Sequence, residues 1–278
     1  MHNVASLVFN DVGNLISAHG AHNLIELRGN KTASEYRLDF GNDSNRFFEN
    51  VDADGTYPSF VKLSNGTLLM SLRDANEAQG RATDLFSSTD GGNTWTKILT
   101  GFADSPVTAE RISIYGGIVV NENDEVFFIF SPQKDDGTTS ERYRFGVYIA
   151  KTTDLGATWT SVDGNTTYTL PLSETNAEEI VSGAINSASL RGWSLDSNGV
   201  PIIPIANRDN FALDISTVHA MTKFNVASYE GGSWVIRNIV TSNDNYLNSY
   251  MTITQKDNEY YASYVESTSV GASNEPIN

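Results

Sequence analysis

The chain has 278 residues, 39% of them hydrophobic, which is enough to bury the core of one large β domain. Its formal net charge of −16 at pH 7 disfavours nucleic acid and anionic membrane surfaces as partners. No apolar run approaches the roughly 18 residues that span a bilayer, and the absence of cysteine excludes disulfides and thiolate chemistry.

Five segments along the chain share one pattern, in which an apolar run, a short polar turn and a second apolar run follow one another. The segments lie at residues 5–20, 58–73, 115–131, 191–206 and 249–265. Their apolar runs are rich in β-branched and aromatic residues, and the Asn, Asp or Gly at each turn tolerates positive φ. Each segment is therefore predicted to be a β-hairpin.

The spacing of these hairpins predicts the fold. Their turns lie near residues 13, 66, 123, 198 and 257, a repeat of roughly 53 to 75 residues, and further strand-like segments lie between them. Four antiparallel strands per repeat are typical of a propeller blade. We therefore predict an all-β chain, folded over residues 1–278 as a single β-propeller domain of four-stranded antiparallel blades, of which about five are visible.

A second repeat lies between the hairpins: residues 87–97 read SSTDGGNTWTK and residues 151–161 read KTTDLGATWTS. In each turn we expect an Asp to accept backbone hydrogen bonds, a Gly to supply an unusual φ, and a Trp to lay its indole on the core. These structural residues are Asp90, Gly92 and Trp95 in the first copy and Asp154, Gly156 and Trp159 in the second. Residues 229–235, YEGGSWV, are a weaker copy without the Asp. The turns hold too few carboxylates for a calcium loop.

The two turns resemble the Asp-box of the sialidase-like β-propellers, the BNR-repeat superfamily. Five hairpins are fewer than the number of blades with which such propellers usually close. The resemblance therefore implies that the chain is truncated, or that the ring is open or completed by another chain, in which case self-association is expected. A sialidase would need an arginine just before the hairpin at 58–73, where this chain has Tyr57, so sialidase activity is disfavoured.

A closer resemblance is to the ulvan-lyase-type polysaccharide lyases of the same superfamily. It covers roughly residues 2–210 and depends mostly on three segments, one running from His2-Asn3 to His22-Asn23, one from Thr56-Tyr57-Pro58 to Arg73, and one around Tyr115. It implies that five residues line one catalytic site, namely His2, His22, Tyr57, Arg73 and Tyr115. Further candidates for holding the substrate are Asn23, Arg111 and Arg208.

The chemistry of such a lyase explains these residue types. It cleaves a 4-linked uronate by removing the proton α to the carboxylate and expelling the C4 oxygen, so it needs a cation, a base and an acid. Arg73 suits the first role because a guanidinium stays charged and can grip a carboxylate with two hydrogen bonds. His22 or Tyr57 suits the other two, although a tyrosine needs neighbouring positive charge to act as a base. The sequence does not divide base from acid.

We therefore predict a polysaccharide lyase that cleaves an ulvan-like, uronate-containing acidic glycan by β-elimination, with no metal or cofactor. The alternatives are a sialidase-like glycoside hydrolase and a non-catalytic glycan-binding propeller. The net charge repels an anionic glycan at long range, but at high ionic strength screening lets local arginines and histidines dominate the cleft. An extracellular or periplasmic location is expected, although the segment MHNVASLVFN does not read as an export signal.

Overall fold

A computed structural model gives the fold over thirteen stretches of the chain. The described residues are 6–9, 14–19, 26–32, 55–74, 82–105, 111–135, 142–144, 146–182, 188–190, 192–207, 223–241, 246–256 and 259–267. Every regular element in them is a β-strand, and the strands within each sheet pair antiparallel. The prediction of an all-β chain is confirmed.

The strands form five sheets in sequence order. The first sheet contains β1 (Ser6–Phe9), β2 (Asn14–His19) and β3 (Glu26–Thr32). The second contains β4 (Gly55–Lys62), β5 (Leu68–Asp74), β6 (Thr83–Ser88) and β7 (Thr96–Ala103). The third contains β8 (Arg111–Val120), β9 (Val126–Asp135), β10 (Arg142–Arg144), β11 (Val147–Thr152), β12 (Trp159–Thr160), β13 (Thr167–Tyr168) and β14 (Glu178–Val181). The fourth contains β15 (Ala188–Leu190), β16 (Ser194–Leu195), β17 (Pro201–Asn207), β18 (Lys223–Glu230) and β19 (Ser233–Thr241). The fifth contains β20 (Tyr246–Lys256) and β21 (Glu259–Ser267).

The sheets have the topology of propeller blades. In the second sheet the order is β4-β5-β6-β7, so each strand lies beside its neighbour in the chain. Strands β8, β9, β11 and β12 repeat this order in the third sheet, where β10 is added beside β9, β13 beside β12 and β14 beside β11. The five predicted hairpins correspond to the pairs β1–β2, β4–β5, β8–β9, β16–β17 and β20–β21. A single domain over residues 1–278 stays a prediction.

Strand β9 shows how the blades stack. Its residues VFFIF are all apolar, and successive side chains of a strand point to opposite faces. Phe128 and Phe130 belong to the apolar cluster shared with the second sheet, where Phe128 meets Phe102 with 4.7 Å between ring centres. Phe127 and Ile129 belong to the cluster shared with the fourth sheet. The third blade is therefore covered by apolar layers on both faces.

Side-chain hydrogen bonds also tie the hairpin turns of neighbouring blades together. Asp124, with φ of 60°, accepts hydrogen bonds from the backbone N–H of Ser64 at 2.7 Å and from the Ser64 hydroxyl. Asn121 donates from Nδ2 to the Gly199 carbonyl at 3.1 Å. The turns of the second, third and fourth sheets thus form a connected row, which we call the turn row.

A serine and a glycine let strands β4 and β8 approach each other. The Ser59 hydroxyl donates to the Ile118 carbonyl at 3.2 Å and accepts from the Ile118 N–H at 3.1 Å. A Cβ on Gly117 would lie 2.4 Å from the Trp193 ring and 2.8 Å from the Ser59 hydroxyl oxygen. Only glycine at this position leaves room for both neighbours.

We expect the substitution Gly117→Ala to lower the free energy of unfolding by about 1–3 kcal/mol, because the added methyl group overpacks the contact between blades. Urea unfolding measures the loss. Gly164→Ala is the control, since no atom lies within 4 Å of its added Cβ and its φ of 78° contributes the only strain. A Gly117→Ala protein as stable as the parent would contradict this packing argument.

The turn at 87–97 is organised by one carboxylate. Asp90 accepts hydrogen bonds from the Thr94 N–H at 2.9 Å, the Thr94 hydroxyl at 2.6 Å and the Ser88 hydroxyl at 2.8 Å. Gly92 has φ of 89°, and its N–H donates to the Ser88 hydroxyl. Partial desolvation raises the pKa of Asp90, but these bonds outweigh it and lower the pKa to about 2.

The turn at 151–161 repeats this arrangement with one difference. Asp154 accepts the same three hydrogen bonds from Thr158 and Thr152, and Gly156 has φ of 90°. Leu155 has φ of 61° at the place that Gly91 takes in the first turn. The second copy therefore keeps the left-handed backbone conformation of the first, but with a leucine, which adopts this conformation less readily than glycine.

The weaker copy closes by other means. At the β18–β19 turn Glu230 accepts a hydrogen bond from the Ser228 hydroxyl at 2.6 Å, as Asp90 does from Ser88. The groups that Thr94 supplies in the first turn are replaced by Arg237, whose guanidinium contacts both Glu230 carboxylate oxygens. A surface ion pair thus takes the place of the Asp–Thr pair that this sequence lacks.

The pKa of Asp90 leads to a pH-dependent prediction. Because the folded pKa of about 2 lies below the ordinary value of 3.8, the stabilisation is complete above pH 4 and is lost as the pH falls toward 2. We expect Asp90→Asn to cost about 1 kcal/mol at pH 7, a value discounted for solvent exposure. The difference from the parent should shrink between pH 4 and pH 2 in unfolding curves. Glu122→Gln, at an exposed turn position, is the control, and a difference that stays constant with pH would contradict the prediction.

Candidate functional site

Tyr57 lies at an irregular point of β4. The pairing of β4 with β5 shifts register between Thr56 and Ser59, so the strand bulges at Tyr57 and Pro58. Tyr57 has φ of 55°, although a residue before proline normally adopts an extended conformation. A non-glycine residue in the left-handed region costs of order 1–3 kcal/mol and is typical of functional sites. The bulge re-aims the Tyr57 side chain relative to its neighbours in the strand.

Arg73 lies directly across from this bulge. In the β4–β5 pairing it is the partner of Thr56, and its Nε donates to the Thr56 hydroxyl at 3.0 Å. Its guanidinium carbon is 4.4 Å from the centre of the Tyr57 ring and 4.3 Å from the centre of the Tyr115 ring. The residue is only 2% exposed. Arg73 is thus buried beneath the two tyrosines.

Tyr115 reaches the same place from the next blade. It lies in β8 opposite Ser131, and its ring meets the Tyr57 ring edge to face with 5.3 Å between centres. Gly116 follows it, where a Cβ would lie 2.3 Å from the Ile129 carbonyl oxygen. The Ser59 contact between β4 and β8 holds the two strands that carry the tyrosines.

Arg144 is a fourth member of the site that sequence reasoning missed. Its guanidinium carbon lies 4.2 Å from the centre of the Tyr115 ring, and its Nε donates to Gln133 Oε1 at 3.4 Å. Desolvation lowers the pKa of Arg144, and the nearby positive charge of Arg73 lowers it further, while Tyr115 and Tyr57 oppose both effects. The sequence offers only a weak indication of this role. Residues 142–144 read Arg-Tyr-Arg just before Phe145 and Gly146, in a polar segment that resembles a loop.

The local structure explains how Arg144 arrives there. Strand β10 is only three residues long and pairs with the end of β9. Gly146, with φ of 76°, turns the chain into β11, and a Cβ on it would lie 2.7 Å from the Tyr148 ring. The hydroxyl of Ser131, the partner of Tyr115, donates to the Gly146 carbonyl at 2.9 Å. One serine thus connects the Tyr115 position to the segment that carries Arg144.

Of the other candidate residues, the structure describes only Arg111. His2, His22, Asn23 and Arg208 lie outside the described residues. Arg111 is the first residue of β8, and its backbone pairs with Asp135. Among the residues that the structure describes, no three or more His, Asp or Glu side chains form a metal-binding group.

The two Asp turns lie away from the tyrosines. Along β5, Leu68 pairs with Ser88, next to the first turn, whereas Arg73 pairs with Thr83 at the other end of β6. The two positions are about 17 Å apart at ~3.3 Å per strand residue. In the third sheet Thr152 pairs with Val126, at the end of β9 remote from Ser131. The turns and the tyrosine site are therefore at opposite ends of the blades.

The site as a whole is an aromatic and cationic cluster. We call Tyr57, Arg73, Tyr115 and Arg144 the tyrosine–arginine cluster. Two guanidinium groups next to two phenols favour an anionic ligand and stabilise negative charge that develops on a phenol oxygen. Such a cluster can bind a carboxylate and can transfer a proton through a tyrosine hydroxyl.

Comparison with known proteins identifies the family of the chain and the solved structures that its fold resembles. Residues 1–242 match the family described as BNR repeat-containing family member, whereas no curated protein sequence matches. Among solved structures, an ulvan lyase of polysaccharide lyase family PL25 superposes with a TM-score of 0.69 at 18% identity, over 97% of this chain and 68% of that one. The same enzyme type bound to -[GlcA(1-4)Rha3S]- gives 0.68 at 17% identity, with the same coverage. An endo-arabinase from Bacteroides thetaiotaomicron gives 0.51 at 11%, over 94% of this chain and 88% of that one. These likenesses agree with the propeller-type fold, and the family match shows that the chain belongs to the BNR repeat-containing family.

Proposed function

We propose that the chain is a polysaccharide lyase that cleaves a uronate-containing, ulvan-like glycan by β-elimination at the tyrosine–arginine cluster. The observation that carries the proposal is the convergence of Tyr57, Arg73 and Tyr115 from two blades, with the guanidinium carbon of Arg73 within 4.4 Å of both ring centres. The likeness of the fold to an ulvan lyase supports the choice of substrate class.

The chemistry follows from the charges in the site. A base takes the proton at C5 of the uronate, the C5–H electron pair forms the C4–C5 double bond, and the C4–O bond breaks with its electrons leaving on oxygen. An acid then protonates that oxygen. Cationic charge near the uronate carboxylate stabilises the enolate-like intermediate. Tyr57 supplies one proton-transfer group because two guanidinium groups stabilise its phenolate, and His22 is the candidate for the other.

The direct test is the ultraviolet absorbance of the conjugated, unsaturated uronate that a lyase leaves at the new non-reducing end. We expect this absorbance to rise when the protein is incubated with ulvan, and not with the same glycan after its carboxyl groups have been reduced to alcohols. Binding of the glycan with no such rise would contradict the proposal and favour a non-catalytic glycan-binding propeller. Release of shorter saturated chains would instead indicate a hydrolase.

An extracellular or periplasmic location accompanies this proposal, because the glycan is a polymer outside the cell. Among the described residues the structure contains no helix long and apolar enough to cross a membrane. We also propose that the chain associates with itself, and light scattering of the purified chain tests this.

A further inference from the structure

Burial prevents Arg73 from meeting a substrate in this conformation. Its side chain is 2% exposed, its Nε is engaged with the Thr56 hydroxyl, and the Tyr57 and Tyr115 rings cover it. A carboxylate could reach the guanidinium only if one of these rings moved away. The sequence predicts that Arg73 binds the substrate carboxylate. Because Arg73 is buried, a different cation nearer the surface of the cluster is needed for this role.

Arg144 meets this requirement. It lies over the same Tyr115 ring at 4.2 Å from its centre, but it is only partly buried and comes from a separate short strand. Tyr115 thus has two guanidinium groups within 4.3 Å of its ring centre, of which Arg73 is almost fully buried and Arg144 is partly buried.

Electrostatics favour an anion next to Arg144. Its charge is disfavoured by desolvation and by the like charge of Arg73. A bound carboxylate offsets both effects, because it supplies opposite charge and hydrogen-bond acceptors in a geometry that a guanidinium matches with two parallel bonds.

We infer that Arg144 binds the substrate carboxylate, and that Arg73 is a positioning residue that holds Tyr57 and Tyr115 from beneath. The inference rests on the proposed function for the identity of the substrate. It moves the carboxylate-binding role expected of Arg73 to Arg144, and it gives Arg73 the different role of holding the two tyrosines.

The test of Arg144 compares two ligands that differ only in the carboxylate. The first is a tetrasaccharide of glucuronate and 3-sulfated rhamnose, and the second is the same tetrasaccharide with its carboxyl groups reduced. Binding is measured by calorimetry on the whole chain carrying Tyr57→Phe, so that turnover does not consume the ligand. We expect Arg144→Gln to weaken binding of the first ligand by roughly 10- to 100-fold and to leave the second unchanged.

Two further variants sharpen this result. Arg144→Lys should recover part of the lost affinity, because it restores the charge without the bidentate geometry. Arg237→Gln removes a guanidinium from the surface ion pair with Glu230 and should bind both ligands as the parent does. Equal weakening of both ligands by Arg144→Gln, or no weakening of either, would overturn the inference.

The outcomes separate this inference from the proposed lyase activity. Carboxylate-dependent binding through Arg144 without any unsaturated product contradicts the lyase and leaves the carboxylate site in place. Unsaturated product together with unchanged affinity in Arg144→Gln contradicts the site and leaves the lyase in place. A parent chain that binds neither ligand contradicts both.

The role of Arg73 has its own readout. Lysine keeps the charge but lacks the planar group that lies between the two rings, so Arg73→Lys should lower kcat with little change in KM. The alkaline side of the kcat profile should also move to higher pH, because the phenolate loses part of its stabilisation. A rise in KM with an unchanged kcat profile would show that Arg73 itself contacts the substrate.

Discussion

The substitution Tyr57→Phe is expected to lower kcat on a uronate glycan by roughly a hundred- to ten-thousand-fold, the usual contribution of a general acid or base. Phenylalanine keeps the ring that covers Arg73 and meets Tyr115, so only the hydroxyl is lost. The φ of 55° at this position is tolerated equally by the two aromatic residues. Initial rates are followed through the ultraviolet absorbance of the unsaturated product, and the melting temperature should stay within a few degrees of the parent.

The control for this experiment removes a hydroxyl elsewhere. Tyr261 lies on β21, is 52% exposed and donates from its hydroxyl to Glu259 at 3.0 Å. Tyr261→Phe should retain the parent activity. If Tyr57→Phe and Tyr261→Phe turn over the glycan equally well, Tyr57 does not transfer a proton and the proposed mechanism is wrong.

The substitution Trp159→Ala is expected to lower the free energy of unfolding by about 4 kcal/mol and the Tm by about 10 °C. Trp159 is fully buried, and its indole stacks on Phe102 at 5.3 Å in the apolar layer between the second and third sheets. Removing it leaves a large cavity in that layer. Urea unfolding and scanning calorimetry measure the two quantities.

The same turn in its first copy provides the matched control. Trp95 is half-buried, packs on Phe60 at 5.6 Å and donates from Nε1 to the Gly92 carbonyl at 3.1 Å. Trp95→Ala should cost only about 1–2 kcal/mol. Equal losses for the two tryptophans would contradict the assignment of Trp159 to the layer between blades.

A milder change at Trp159 tests the polar part of the indole. The Trp159 Nε1 is buried and has no hydrogen-bond partner among the residues that the structure describes. Phenylalanine removes this unsatisfied N–H together with some volume, so Trp159→Phe should cost clearly less than Trp159→Ala. The difference in unfolding free energy between the two variants separates the contribution of the ring volume from that of the buried N–H.

Much of the fold could be predicted because its signals are local. Alternation of apolar residues and turn residues such as Asn65-Gly66 mark hairpins within a few residues of sequence. The repeated turns carry their own hydrogen-bonding groups, so the roles of Asp90 and Asp154 could be interpreted from residue type and spacing. The family resemblance named Tyr57, Arg73 and Tyr115 together with His2 and His22. The structure brings the first three within contact of one another, and the two histidines lie outside the described residues.

The rest of the site depends on contacts between distant parts of the chain. The bulge at Tyr57 and its positive φ arise from the pairing of β4 with β5, which no short window of sequence shows. The burial of Arg73 depends on a tyrosine from another blade. Arg144 reaches Tyr115 only because a three-residue strand adds to the end of β9. These features are tertiary, so residue type and spacing could not predict them.

The turn row has a mechanical consequence for the site at the other end of the blades. Side-chain hydrogen bonds fix the second and third blades to each other at Ser64 and Asp124, and Ser64 lies seven residues from Tyr57, roughly 23 Å at ~3.3 Å per strand residue. If one blade rotated relative to the other about these turns, the far ends of the blades, where the tyrosines lie, would move most. A relative rotation of about 3° would change the separation of the two tyrosines by about 1 Å, and a misplacement of this size can cost an enzyme roughly a hundredfold in rate. The Ser59 contact between β4 and β8 joins the same two blades nearer to the tyrosines and opposes this rotation, so contacts between blades limit how far the two tyrosines can separate.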